Sequence, residues 1–153
     1  TAMSPEGTNK QITKANLFSG VDEFFTVNGG ADLTQTAERA LPLGASSTEA
    51  TTFNYLRTFA IPKDCRLVSV TSASAADGGA TDLSAYKPTS DTNVSAFTAL
   101  GTVQVASHRA TGTHTFTFDS STYDYVVGDR FGLTVSSVTN LNGFRFTCLF
   151  KTI

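Results

Sequence analysis

Apolar and polar residues alternate in short runs along the second half of the chain. The clearest are His114-Thr115-Phe116-Thr117-Phe118, Phe131-Gly132-Leu133-Thr134-Val135 and Phe144-Arg145-Phe146-Thr147-Cys148-Leu149-Phe150. Successive side chains of an extended strand point to opposite faces, so a period of two marks a strand with one face buried and one face wet. The same pattern predicts strands over Val21–Val27, Thr51–Ile61, Cys65–Ala75, Asp82–Lys87, Val103–Ser107, Gly112–Phe118, Asp129–Ser137 and Phe144–Ile153. Turn residues separate them, as at Asn28-Gly29-Gly30, Asp77-Gly78-Gly79 and Pro88 to Asn93, where backbone reversal needs Gly, Asn, Asp or Pro. The expected fold class is therefore all-β: a single antiparallel β-sandwich of jelly-roll type, with about eight strands in two packed sheets. Phe59, Phe116, Phe118, Phe131, Phe144, Phe146 and Phe150 form the expected core.

Two segments depart from this alternation. Residues 1–20 carry little apolar content until Ile12, Leu17 and Phe18, and read as an extended N-terminal arm ahead of a sandwich domain at 21–153. Such arms stay unfixed unless a partner holds them, which makes Ile12, Leu17 and Phe18 candidate arm contacts. The stretch Asp32 to Leu41 fits a helix: Asp32 as N-cap, Gln35 three residues later, and Leu33, Ala37 and Leu41 on one face before Pro42. A strand from Arg39 to Leu43 fits the same residues.

At 153 residues the chain is the size of one domain that can bury a core without disulfide staples. Charged residues make up 16%, below the usual quarter, and Ser and Thr supply the remaining polarity. A net charge of −2 offers no basic field to a phosphate backbone, so nucleic acid is not an expected partner. Nor is a membrane: no apolar run approaches the roughly 18 residues a spanning helix needs, and no basic-plus-apolar leader opens the sequence. Met3, the sole methionine, reads as an initiator after two vector residues, with an internal Met of a longer protein as the other reading.

Candidate chemistry is sparse. Cys65 and Cys148 fall in different expected strands and are read as buried free thiols, although facing strands would let them pair. Two Cys and two His, none closely spaced, do not make a zinc site. A general base for nucleophilic catalysis would have to be His108 or His114, and neither stands by a Gly-x-Ser-x-Gly elbow. His114 shares the parity of Phe116 and Phe118 and is expected to face inward or into an interface, whereas His108 is expected in an exposed turn. Asp64, Asp77, Asp82, Asp91, Asp119 and Asp129 sit at turns or strand starts, where Asp bonds the local backbone. The stretch from Asp119 to Asp124 supplies oxygens without the spacing or glycine of a calcium loop. No catalytic residue, cofactor or metal is thus expected. With no Trp in the chain, Tyr86, Tyr123 and Tyr125 are the candidate ligand-stacking residues; the competing role for the last two is to plug the sandwich end.

Two stretches carry a resemblance. One is Phe59-Ala-Ile-Pro-Lys-Asp-Cys-Arg-Leu-Val-Ser-Val-Thr, followed by the Gly-rich loop and Asp82-Leu-Ser-Ala-Tyr-Lys-Pro. The other runs from Gly112-Thr-His-Thr-Phe-Thr-Phe through Val127-Gly-Asp-Arg-Phe-Gly-Leu-Thr-Val to Asn142-Gly-Phe-Arg-Phe. Over residues 53–153 the chain resembles the small jelly-roll modules of tailed-bacteriophage virion proteins: capsid decoration proteins, head fibres and tail-fibre tips. It is also loosely similar to the trimeric sandwiches of the C1q/tumour-necrosis-factor class. These are strand-and-turn motifs, so no site residue carries over. The resemblance implies a non-enzymatic structural protein located in the virion, a homotrimer bound to other virion proteins. The alternative it implies is a lectin-like host-recognition module that binds a host-surface glycan.

Overall fold

Ten strands pair into two antiparallel sheets in the computed structural model, which describes residues 22–44 and 48–153. In chain order they are β1 (Phe24–Ala31), β2 (Arg39–Ala40), β3 (Phe59–Ala60), β4 (Cys65–Ala73), β5 (Gly79–Tyr86), β6 (Gly101–His108), β7 (His114–Thr117), β8 (Asp124–Tyr125), β9 (Arg130–Ser137) and β10 (Phe144–Thr152). One sheet has the order β1-β10-β4-β7, with β8 also on β4; the other has the order β2-β9-β5-β6, with β3 also on β9.

The register joins two pairs of these short strands. β2 lies along Val135 and Thr134, and β3 continues the same edge along Phe131 and Arg130. Likewise β7 runs along Ser72 to Ser69 of β4, and β8 continues along Arg66 and Cys65. Taking each pair as one interrupted strand leaves eight, ordered 1-8-3-6 and 2-7-4-5. That is the arrangement of a jelly roll, two Greek keys wrapped into facing sheets.

The core between the sheets is built on phenylalanine. Phe150 lies at its centre, stacked on Phe25 at 5.0 Å and edge-on to Phe131 at 5.1 Å, while Tyr125 meets Phe131 edge-on at 5.6 Å. Such offset and perpendicular contacts suit the ring quadrupole. Phe116, Phe118, Phe131, Phe144, Phe146 and Phe150 are all buried as expected, whereas Phe59 is only half-buried because β3 is an edge strand.

Of the two readings of this stretch, the strand within Arg39–Leu43 forms, as β2, and the helix at Asp32–Leu41 does not. Its backbone donors are used elsewhere: Leu33 N–H donates to Leu141 O at 3.2 Å and Leu41 N–H to Leu133 O at 2.9 Å, while Asp32 accepts from Gly143 N–H. An isolated ten-residue helix is marginal, and burying Leu33 and Leu41 in the sandwich outweighs it. The strand expected at Thr51–Ile61 shrinks to β3. Asn54 accepts from the N–H of Leu56 at 3.0 Å and of Arg57 at 2.9 Å, which turns the chain and breaks the parity. Phe53 is consequently buried while Tyr55, two residues on, is 77% exposed. The Phe53 ring lies on the outer face of β9, where a Cβ at Gly132 would stand 2.5 Å from it. This loop covers the second sheet from outside, and Thr134 and Tyr86 are buried beneath it.

Candidate contact surfaces and the buried histidine pair

The three candidate stacking tyrosines are not brought together as a platform. Tyr125 is wholly buried in the core, and its hydroxyl donates to Tyr86 O at 3.3 Å. Tyr86 is buried against Phe53, and its hydroxyl donates to Glu38 at 2.7 Å, an acceptor it shares with Thr134. Burial, then the Glu38 carboxylate, raises the Tyr86 phenol above its usual range. Tyr123 is half-buried, edge-on to Phe118 at 4.9 Å. Tyr86 and Tyr125 thus present no face to a sugar: both bury their rings and bond their hydroxyls internally, the pattern expected of structural tyrosines.

His108 is the misplaced residue with the most chemistry. It ends β6 with no exposed surface. Strict alternation from Val103 and Val105 would have pointed it outward, but the β5–β6 register slips between Gly79 and Thr81 and reverses the parity. Its ring bridges the sheets, with Nε2 2.9 Å from Ser72 Oγ and Nδ1 3.2 Å from Ser74 Oγ, both on or beside β4. Ser74 donates its one O–H to Ala76 O at 2.6 Å, so its oxygen accepts from Nδ1–H. Nε2 then accepts the Ser72 O–H, and the imidazole is the neutral Nδ1–H tautomer. His114, half-buried as its parity implied, packs on this ring at 4.3 Å between centroids. Burial first, then the His114 charge, lowers the His108 pKa to about 4, with Asp77 acting in the opposite direction. A proton on Nε2 would confront a hydroxyl donor and a second imidazole in a site closed to water.

The cysteines are both buried and free. Cys65 stands opposite Thr152 on β10, four residues from Cys148, or roughly 13 Å along a strand, well beyond disulfide reach. Burial pushes the Cys65 thiol up to about 11, helped by Asp64, and raises Cys148 further. Asp124, in the stretch tested for calcium, is held in a two-point pair with Arg66 at 2.6 and 3.1 Å. Among the described residues, no three His, Cys, Asp or Glu gather as a metal site.

One end of the sandwich exposes apolar side chains. Val126 and Val127 are 55% and 65% exposed, Phe24 is 52% exposed, and Ile153 is exposed beside them. Asp64 links Val127 to Ile153: its carboxylate accepts from Val127 N–H at 2.8 Å and its carbonyl from Ile153 N–H at 3.2 Å. Asp129 accepts from Val126 N–H at 3.0 Å and pairs with Lys87 at 2.9 Å. Burial alone would raise the Asp129 pKa, but the Lys87 and Val126 bonds outweigh it and the net shift is downward. The loop is therefore held in shape with its two valines pointing outward. Glu23 accepts from Thr152 N–H at 2.8 Å and pairs with Lys63 at 2.7 Å, so the chain enters the sandwich at this same end. The candidate arm contacts Ile12, Leu17 and Phe18 lie outside the described residues.

No protein-family model matches the chain, and no curated protein matches it. Among solved structures, one of the infectious bursal disease virus Gx strain is similar over 86% of this chain, at 12% identity and a TM-score of 0.40. The chain spans 32% of the length of that viral chain. At this distance the likeness assigns no function.

Proposed function

We propose that the chain is a non-enzymatic structural component of a tailed-bacteriophage particle, of decoration or fibre type, that acts through protein–protein contacts as a homotrimer. The observation that carries this reading is the apolar end, where Val126, Val127 and Phe24 are exposed on a loop and strand fixed by Asp64, Asp129 and Glu23. Scattered exposed apolar residues are ordinary, but several gathered on a rigid end more often mark a contact. The residues that cover it in this reading belong to a second copy of the chain. In this reading the apolar residues Leu17 and Phe18, which lie within five residues of Asp22 in the sequence, are what a neighbouring copy receives. Closed cyclic symmetry lets each copy both give and receive such an arm, and a trimer multiplies weak contacts with the particle.

The jelly roll by itself does not select this reading, because capsid proteins, lectins and cupins share it. His108 is sealed from solvent and its ring nitrogens are engaged by structural serines, so this histidine is built into the packing of the sandwich. Quantitative mass spectrometry of purified particles from the source virus tests the proposal. Many copies per particle are expected, in a simple ratio to a capsid or tail protein. Absence from washed particles, with the protein abundant in the lysate, overturns it.

A further inference from the structure

His108 lies at the end of the sandwich opposite Val126 and Val127. Its partner Ser72 stands near the end of β4, whereas the exposed valines adjoin Cys65 at the start of that strand, roughly 23 Å away. His108 is the last residue of β6, and among the described residues no strand lies beyond β6 in its sheet. The end of β6 can therefore lift without breaking a pair on its outer side. Residues 109–113, which carry the chain from β6 to β7, are all exposed.

The bonds that hold this end converge on side chains that take up protons. Arg109 N–H donates to His114 Nε2 at 3.0 Å, and Ala110 N–H donates to Asp77 Oδ1 at 2.6 Å. The Asp77 carbonyl accepts from the Thr139 hydroxyl, and Gly78 N–H donates to His108 O at 2.9 Å. Around the His108 ring the titratable groups are His114 from β7 and Asp77 from the β4–β5 connection, with Arg109 next in the chain. β4 supplies only Ser72 and Ser74, and β10 the Phe144 ring at 5.8 Å. Asp77 favours a charged ring, but burial and His114 outweigh it. A proton on His108 Nε2 forces the Ser72 hydroxyl from donor to acceptor. A proton on His114 Nε2 turns the acceptor of Arg109 N–H into a donor, with Arg109 O at 3.3 Å to receive it. Both protons thus work against the same few bonds. Water reaches both rings if this end swings away, while the phenylalanine core around Phe150 stays packed.

We propose that this end is an acid-operated latch: in mild acid, proton uptake by His108 and His114 releases the end of β6 and residues 109–113 while the rest of the sandwich stays folded. Opening bares the Phe144 ring, on which His108 packs, and Leu141, which lies against Gly78. The protein thereby gains a second apolar surface that is present only in acid. The latch does not depend on assembly into a particle.

Amide hydrogen exchange of the full chain, followed by NMR at pH 7.5 and pH 5.0 and corrected for the intrinsic exchange rate, reads the opening. An exposed imidazole titrates near 6.5 and the sealed His108 ring at about 4, so the open fraction should rise about thirtyfold between these conditions. The protection of the buried Gly78 N–H should fall by that factor. It should also stay at least about tenfold below that of Val70 and Cys148 in the core, and change little with urea below the unfolding midpoint. His108→Gln should remove most of the fall. Should that variant fail to fold, the wild type still decides, because comparing Gly78 with Val70 and Cys148 needs no variant. Gly78 protection that is the same at both pH values overturns the proposal. So does protection equal to that of the core and falling with urea as the core does, or a fall that persists in His108→Gln.

Discussion

Acid should weaken this protein first through His108, at a pH above the range in which carboxylates such as Asp129 titrate. The folded pKa of His108 is about 4, whereas an unfolded histidine titrates near 6.5. The folded state therefore prefers the neutral ring, so between those values the unfolded chain binds more protons and stability rises with pH. The contribution is fully present above about pH 6.5 and is lost progressively as pH falls to about 4, with no further loss below. At about 1.36 kcal/mol per unit, the difference amounts to about 3 kcal/mol, a substantial share of a typical domain's 5–15 kcal/mol. Structurally, a second proton on His108 would force the Ser72 hydroxyl from donor to acceptor, breaking the arrangement that ties β6 to β4, and would place the new charge 4.3 Å from the His114 ring. Asp77 offers a partial counter-charge, and its carboxylate also accepts from Ala110 N–H. Urea unfolding at intervals from pH 7.5 to 4.5 reads the effect. The midpoint of the wild type should fall by on the order of 1 M across that range. His108→Gln, which retains hydrogen-bonding capacity without a titrating group, should lose most of that slope. His114→Ala should raise the pKa of His108, measurable from its ring resonances by NMR. Equal pH slopes in the wild type and His108→Gln would refute the reasoning.

Phe146→Ala removes a buried ring from the inter-sheet core and should cost about 3–5 kcal/mol by denaturant unfolding. Gly132→Ala places a Cβ 2.5 Å from the Phe53 ring and should destabilise by about 1–3 kcal/mol, with the loss recovered in part by Phe53→Leu. Cys65 and Cys148, buried with raised pKa values, should react with a thiol reagent at pH 8 only as fast as the fold opens; rapid labelling of either thiol in the native state would contradict their burial.

The fold was largely legible because a period of two is a direct consequence of strand geometry. Phe144, Phe146, Cys148 and Phe150 alternate inward along β10 as the pattern implied. Where a second layer or a register slip intervened, the pattern misled. β9 is buried on both faces at Gly132 and Thr134 because the Phe53 loop covers it, and alternation alone does not reveal a loop lying over a sheet. His108 was expected in an exposed turn, whereas β6 runs on to include it and the irregularity opposite β5 turns it inward. Between the two readings of Asp32 to Leu43, the helix lost to the strand because Leu33 and Leu41 donate their N–H groups to Leu141 and Leu133 across the fold. The tyrosines illustrate the limit for function: Tyr86, Tyr123 and Tyr125 look alike in sequence, and only packing shows two of them buried and Tyr123 half-buried.

The proposed role as an assembling particle component stands or falls most directly on the oligomeric state. Light scattering of the full chain at tens of micromolar, beside a chain beginning at Val21 and a Val127→Asp variant, measures it. The account predicts a trimer for the full chain and loss of the trimer in both altered forms, each retaining the β-rich far-ultraviolet spectrum of the intact sandwich. A full-length monomer, or a trimer unaffected by either change, would contradict it.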